Sequence, residues 1–370
     1  MHSLRHTLAA LTAFSLIAAA CSGGGDADTT TTTAATTTAA TTTTTPPTTT
    51  TSSTTTLPDS TTVTTFPPDF ASPLNGLAAE DDILVDRRAI AIKIDNHPVA
   101  RPQSGLQAAD AIIELLVEGG FTRFIALFHD NDTDYIGPVR SLRATDSTLV
   151  TAIGAPLVIS GGQTWIQNLA ASRGVGLIGE TTTSGLYRIG TRTAPHNLYG
   201  DTAALQETSD LRGYSNDPPV GLYKVDTWRI PDAVATEISL DWADGDVVSW
   251  TYDEVGQTYL RETNGRNHNT VDRDGTLTQI HAEVLVILTG EEYTAYPPAG
   301  VAGSGVPATE TVGSGDAYVF ARGRMWQGTW ERDTINDPFT LLNADGTEAV
   351  VPAGFPWVSI FPQERSISIS

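Results

Sequence analysis

Residues 88–95 read RAIAIKID, and residues 96–103 follow as NHPVARPQ. The first octet alternates apolar and polar side chains between polar turns, which predicts a β-strand. The second opens a loop carrying Asp95, Asn96, His97, Arg101 and Gln103 directly after that strand. In an open α/β sheet, ligands bind beyond the carboxyl ends of the strands, so this loop is placed to make a site. Working outward, Ala111 to Val117 and Thr122 to Phe128 are further apolar runs, with Gly119-Gly120 as a hairpin turn between them. Ser141 to Ile153 reads as a helix, Pro156 to Ile159 as a short strand, Thr164 to Ser172 and Thr202 to Ser209 as helices. Strands interleaved with short helices predict an α/β first domain with a mixed sheet over residues 72–217.

The texture changes at Asn216-Asp217-Pro218-Pro219, where two prolines in a polar run mark a boundary. Beyond it the chain reads mostly as strands. Val247 to Tyr252 with Thr258 to Arg261 forms one hairpin; Ala317 to Arg322 with Met325 to Trp330 forms another across Gly323. Ala282 to Leu288 and Trp357 to Phe361 are buried-looking strands. Residues 218–370 are therefore expected to form a smaller β-rich domain, and the whole an α+β fold. Six of the seven Trp lie after Lys224; they are expected to fill core space, with sugar stacking as the alternative.

The other end of the chain is built differently. Arg5 lies in a short polar start, and no charged residue follows from Leu8 to Ala20. A helix spanning a bilayer needs about 20 apolar residues. This run is shorter, so residues 1–20 read as a secretory signal peptide. Its exit, Ile17-Ala18-Ala19-Ala20-Cys21, resembles a lipobox, in which Cys21 becomes lipid-modified after cleavage; plain secretion with a free thiol is the alternative. Residues 21–71 form a Thr/Pro-rich stalk, with 24 Thr in the 37 positions from 29 to 65. Such a stretch has no apolar face to offset the entropy of ordering. The expected location is the outer face of the cell membrane, anchored through Cys21.

Composition narrows the function. Cys21 is the only cysteine, so disulfides within the chain, Cys-based zinc sites and iron–sulfur clusters are excluded. A net charge of -22 argues against nucleic acid as a partner. Lys occurs only at 93 and 224, so positive charge is mostly guanidinium, whose planar fork suits carboxylate and phosphate. Arg101, Arg123, Arg140 and Arg143 are expected to converge on an anionic ligand, with Glu114, His129, His196 and Asn197 lining the same site. Asp95, His97 and Glu118 are the candidate acid–base groups. Turn hydrogen bonds and core-edge ion pairs are the bland alternative for each of these residues.

Other signals are weaker. Gly174-Val-Gly176-Leu-Ile-Gly179 fits a dinucleotide fingerprint, but a helix precedes it where a strand is required. Ser160-Gly161-Gly162 between a strand and a helix offers backbone N–H groups to an anion, or Ser160 as a nucleophile with His196 as base. His268 and His281 read as structural or exposed. No metal site and no cofactor motif are found.

Several segments together resemble the YerB-like lipoprotein family, a two-domain family of unknown function. They are PLNGL (73–77), AIKIDNHPVARPQSGLQAAD (91–110), VEGGFTRFIALFH (117–129), IGPVRSLR (136–143) and APHNLY (194–199). Tyr259-x-Arg261, Gly265, Asp272, GSGDAYVF (313–320) and Trp326 through Trp330 extend the likeness into the second domain. The resemblance implies a lipid-anchored envelope protein and carries no reaction with it. Three functions stay open: capture of peptidoglycan or another anionic envelope polymer, hydrolysis or lysis of such a polymer, and recruitment of an envelope protein.

Overall fold

The computed structural model describes residues 71–79, 86–181 and 184–370. Residues 1–70, which hold the expected signal peptide, Cys21 and most of the expected Thr/Pro-rich stalk, lie outside the described residues. The first segment supplies strands β1 (Ile90–Asp95), β2 (Ala111–Leu116) and β3 (Thr122–Phe128). Helix α1 (Ala144–Ile153), β4 (Leu157–Val158), α2 (Thr164–Ser172), β5 (Leu177–Ile178) and α3 (Thr202–Leu211) follow. β2 and β3 form the expected antiparallel hairpin, and Gly119 and Gly120 both adopt positive φ in its turn, where a side chain would be strained.

These strands do not make a sheet of their own. They join strands of the second segment in one eleven-stranded mixed sheet. From one edge the order is Glu348–Ala349, Thr340–Leu342, Arg324–Arg332, Gly313–Ala321, Val284–Gly290 and Pro356–Pro362, then β2, β3, β1, β4 and β5. Pro356–Pro362 is the seam: it pairs in parallel with both Val284–Gly290 and β2. The proline-rich run at 216–219 has no regular secondary structure, and the sheet is continuous across the two segments on either side of it. Both second-segment hairpins are present, Asp246–Asp253 with Thr258–Thr263 and Gly313–Ala321 with Arg324–Arg332.

Both faces of the large sheet are covered. Ala91, Ile113, Ile125 and Leu127 pack with α1 and α2 residues such as Leu149, Ile153 and Ile166. Ile90, Ile92, Ile94, Ile112 and Phe124 pack the other way, against Trp242, Trp250 and Tyr259 of a second, six-stranded sheet. Strands covered on both sides read as near-continuous apolar runs. β1, β2 and β3 are accordingly buried at every position, polar ones included. The alternation in RAIAIKID therefore does not mark a wet face. Lys93 is fully buried under α1, with Nζ 2.6 Å from Asp146 Oδ1.

The tryptophans are core residues. Trp242, Trp250, Trp330 and Trp357 are at most 1% exposed, and Trp228 and Trp326 are partly buried against the core. The Gly174–Gly179 stretch runs from a helix into β5, the reverse of a dinucleotide turn, and the Tyr214 ring lies against Gly176.

Candidate functional site

Asp95 ends β1 on the α1-facing side of the sheet, the side that Lys93 also takes. The Gly137–Arg143 segment runs beside it: Asp95 N donates to Pro138 O at 2.9 Å, and Arg140 N donates to Lys93 O at 2.8 Å. Ser160 N in turn donates to Arg140 O at 3.0 Å. The side chains meet above this backbone lattice. Asp95 Oδ2 lies 2.8 Å from His196 Nδ1 and 2.9 Å from Arg140 Nε. The contact to Arg140 is an ion pair, not an aligned hydrogen bond. Asp95 is 2% exposed, while the Arg140 and His196 side chains are 23% and 14% exposed, so the carboxylate sits beneath the groups it orients.

His97 completes this corner. Its Nδ1 accepts from Val99 N at 3.2 Å, capping the short turn Pro98–Ala100 and leaving the proton on Nε2. The ring stacks on His196 at 5.6 Å between centroids and meets Phe121 edge-on at 4.8 Å. Asp95, His97 and His196 thus form one constellation from two loops about 100 residues apart in sequence.

Two further guanidiniums border it. Arg123 is paired in register with Asp95 across β1 and β3, and its Nη1 donates to Ser141 O at 2.8 Å. Arg143 Nε lies 2.6 Å from Glu118 Oε2. Burial, then the charges of Arg143 and Arg140, lowers the Arg123 pKa to about 10. For Glu118, burial alone would raise the carboxyl; the Arg143 hydrogen bond and charge outweigh it and hold the group below its ordinary value. Three guanidiniums therefore stand against two carboxylates, a local cationic island in a chain of net charge -22. Ser141 Oγ and Ser160 Oγ lie 3.4 Å apart beside it, ahead of Gly161-Gly162 at the start of α2.

The structure thus brings together Asp95, His97, Glu118, Arg123, Arg140, Arg143 and His196. Four expected members fall elsewhere. Glu114 is wholly buried and takes two hydrogen bonds of 2.8 Å from Arg261. β2 is covered on both faces, so a polar side chain in it turns inward and needs a partner there. His129 is buried at the far end of β3, with Nδ1 3.0 Å from Ser72 Oγ. Asn197 turns outward to Arg188. Arg101 points away toward the second sheet, its Nε donating to Asn96 Oδ1 at 2.9 Å and its Nη2 lying 3.9 Å from Asp246. Among the described residues no three His, Cys, Asp or Glu side chains meet in a metal-holding group.

Sequence reading also missed a partner network. His268 is buried beside Arg261, whose Nε donates to His268 Nδ1 at 3.1 Å. Burial, with the charges of Arg261 and Arg101, holds its pKa well below the usual 6.5. The unfolded chain takes up this proton near pH 6.5 and the folded chain does not. The resulting stability is complete above that pH and is lost as pH falls below it, by about 1.4 kcal/mol per pH unit. Urea titrations between about pH 5 and 6 should show a slope one proton steeper in the wild type than in His268→Asn. Equal slopes would mean that His268 takes up its proton in the folded state too.

The chain is similar to known proteins in sequence and in fold. Two family models match: "Protein of unknown function (DUF3048) N-terminal domain" over residues 74–215, and the corresponding C-terminal domain over 238–358. A protein of Bacillus subtilis (strain 168) named "Putative lipoprotein YerB" is 27% identical over 308 residues, covering 81% of this chain and 88% of its own length. The crystal structure of YerB from Bacillus subtilis superposes with a TM-score of 0.68 at 24% identity, over 81% of this chain and 99% of that one, a likeness of fold.

Proposed function

The chain belongs to the DUF3048 family of proteins of unknown function, and from that premise we propose that it is a lipid-anchored envelope protein capturing an anionic, glycan-like polymer. The single observation that carries this reading is the Arg123–Arg140–Arg143 cluster around Asp95 and His196. Guanidiniums partly withdrawn from water bind carboxylate or phosphate more strongly than exposed ones, because the surrounding medium screens less. One unit of positive charge is left over in the cluster with both histidines neutral. An anionic group on the ligand would neutralise it. The name of the relative and the sequence Ile17-Ala18-Ala19-Ala20-Cys21 support lipid attachment at Cys21, which would hold the site beyond the outer face of the membrane. Among the described residues no helix is long and apolar enough to cross a membrane.

A second reading rests on one contact. Asp95 fixes His196 Nδ1 as the protonated nitrogen, which leaves Nε2 free to accept a proton. That is the arrangement of a general base, and it favours a hydrolase or lyase acting on the same polymer.

One experiment separates the two. The purified full chain is incubated with solubilised peptidoglycan fragments and with a phosphate-bearing wall polymer, and both retention and soluble product are measured. Capture predicts retention without product, weakened by about tenfold per guanidinium removed in Arg140→Ala and Arg143→Ala. Product that disappears in His196→Ala would turn the reading to catalysis. Undiminished retention in a folded Arg140→Ala/Arg143→Ala variant would sink the site itself.

A further inference from the structure

Six buried side chains close a ring of hydrogen bonds between the two segments of the chain. Asn96 Nδ2 donates to Thr122 Oγ1 at 2.7 Å, and Thr122 Oγ1 donates to Glu114 Oε1 at 2.7 Å. Arg261 donates to both Glu114 oxygens at 2.8 Å, and through Nε to His268 Nδ1 at 3.1 Å. His268 Nε2 lies 3.0 Å from Gln103 Oε1, and Gln103 Nε2 returns to Asn96 Oδ1 at 2.9 Å. None of the six residues is more than 3% exposed.

The proton directions are fixed all the way round. Arg261 Nε has only a hydrogen to offer, so His268 Nδ1 must accept, and the imidazole proton sits on Nε2. Nε2–H then requires the oxygen of Gln103, which orients the Gln103 amide nitrogen toward the loop. That nitrogen donates to Asn96 Oδ1 and also to the Asp95 carbonyl, at 3.0 Å. The ring therefore grips the backbone on which the Asp95 carboxylate stands. A side chain fixed at both its backbone and its partners is held to the narrow range of positions that a binding site needs.

We propose that Gln103, His268 and Arg261 are positioning residues for the Asp95 site, so that the second segment sets the geometry of a site built wholly on the first. The proposal rests on the reading of the Asp95–Arg140–His196 cluster as the ligand site. None of the three touches a side chain of that cluster; Gln103 reaches it only at the Asp95 backbone carbonyl. Their effect passes through the Asp95 carbonyl and Asn96. In this account a change of donor to acceptor at Gln103 is felt at His196, because Asp95 moves relative to Nδ1. Facing His268 are the charges of Arg261 and of Arg101 from the loop; Glu114 of β2 is bound to Arg261, and Asp246 lies beside Arg101. A proton added to His268 would set two donors against each other at Nδ1 and break the ring from within.

The test uses the full chain labelled with 15N-histidine. Gln103→Glu keeps the shape and can still accept from His268, but it cannot donate to Asp95 or Asn96. The wild type should show a low-field His196 Nδ1 proton shared with Asp95. Gln103→Glu should lose that signal and bind peptidoglycan fragments about tenfold more weakly, one charge-assisted hydrogen bond's worth of affinity. Thr263→Val, which removes only an additional donor to His268 Nδ1, should change neither. A folded Gln103→Glu with the His196 signal and affinity intact overturns the proposal. If the signal is lost in Gln103→Glu while the wild type binds no fragment, the ligand reading fails and the positioning role stands. Should Gln103→Glu not fold, Gln103→Met, of similar length and without a donor, carries the same test.

Discussion

Arg261→Ala is expected to cost about 3–5 kcal/mol of folding stability, the usual loss when one member of a buried ion pair is removed. Arg261 and Glu114 are both fully buried, and two parallel hydrogen bonds of 2.8 Å join them. Trp357 Nε1 adds a third donor to Glu114 at 2.8 Å. The guanidinium also lies 4.8 Å from the Trp357 ring centre, 5.2 Å from Trp250 and 5.5 Å from Phe124, an aromatic cage that compensates its desolvation. Removing Arg261 leaves a carboxylate facing aromatic walls, a vacant guanidinium-sized space and a His268 Nδ1 with one donor fewer. Removing both charges together, as in Glu114→Leu/Arg261→Met, should cost much less than the sum of the single changes, since no unpaired charge remains. Urea unfolding of the three variants checks this. A loss below about 1 kcal/mol in Arg261→Ala would mean that water already reaches the pair.

Asp146→Ala is the second large effect, at least about 3 kcal/mol near neutral pH. Asp146 does two jobs at the start of α1. Its Oδ1 pairs with buried Lys93, and its Oδ2 accepts from Arg143 N at 2.7 Å, closing the first turn of the helix. Burial lowers the Lys93 pKa to about 8 against the opposing pull of Asp146. Without Asp146 it would fall further, and the buried ammonium would shed its proton at lower pH. The charge part of the deficit should therefore be largest in acid and shrink as pH rises toward about 8, where the wild-type lysine also begins to deprotonate. Above that pH the wild type itself gains stability up to the ordinary lysine value, since the unfolded chain then binds the extra proton. Thermal unfolding at about pH 6 and pH 8 gives both quantities. A deficit that grows with pH would contradict the assignment. The same change frees Arg143, so fragment binding should weaken together with stability.

The candidate site was partly visible in the residues. Asp95, His97, Arg140, Arg143 and His196 lie in loops whose residue types are chosen for chemistry or turns, and such loops cluster where strands end. Glu118 and Arg123 lie beside the same sheet end. The misplacements have one cause. A polar residue next to a strand end looks the same whether it faces solvent or a partner brought in from elsewhere. Glu114 carried a usable warning: AIILL-type neighbours on both sides mark a strand covered on both faces, and a charge inside such a strand must be paired. The partner itself, Arg261, stands 147 positions later, and nothing local names it. Arg101 shares the loop after β1 with Asp95 and His97, so its sequence position alone places it near the site. The turn at Pro98–Ala100 sends it to the opposite side of the loop, toward Asn96 and Asp246.

Local order was determined by the sequence alone. β1 to β4, the three helices, the Gly119-Gly120 turn and the two second-segment hairpins follow from periodicity and turn chemistry, which act over a few residues, whereas strands such as Glu237–Ala243 and Val306–Thr309 were not read from it. Only the tertiary structure decided that the second segment would extend the first segment's sheet through Pro356–Pro362, and that RAIAIKID would be buried on both faces with Lys93 inside. It also decided which charges serve the fold and which are left to face a ligand. Those outcomes depend on pairings between residues far apart in the chain. Their strength comes from a dry interior that exists only once the chain has folded, so no window of sequence contains them.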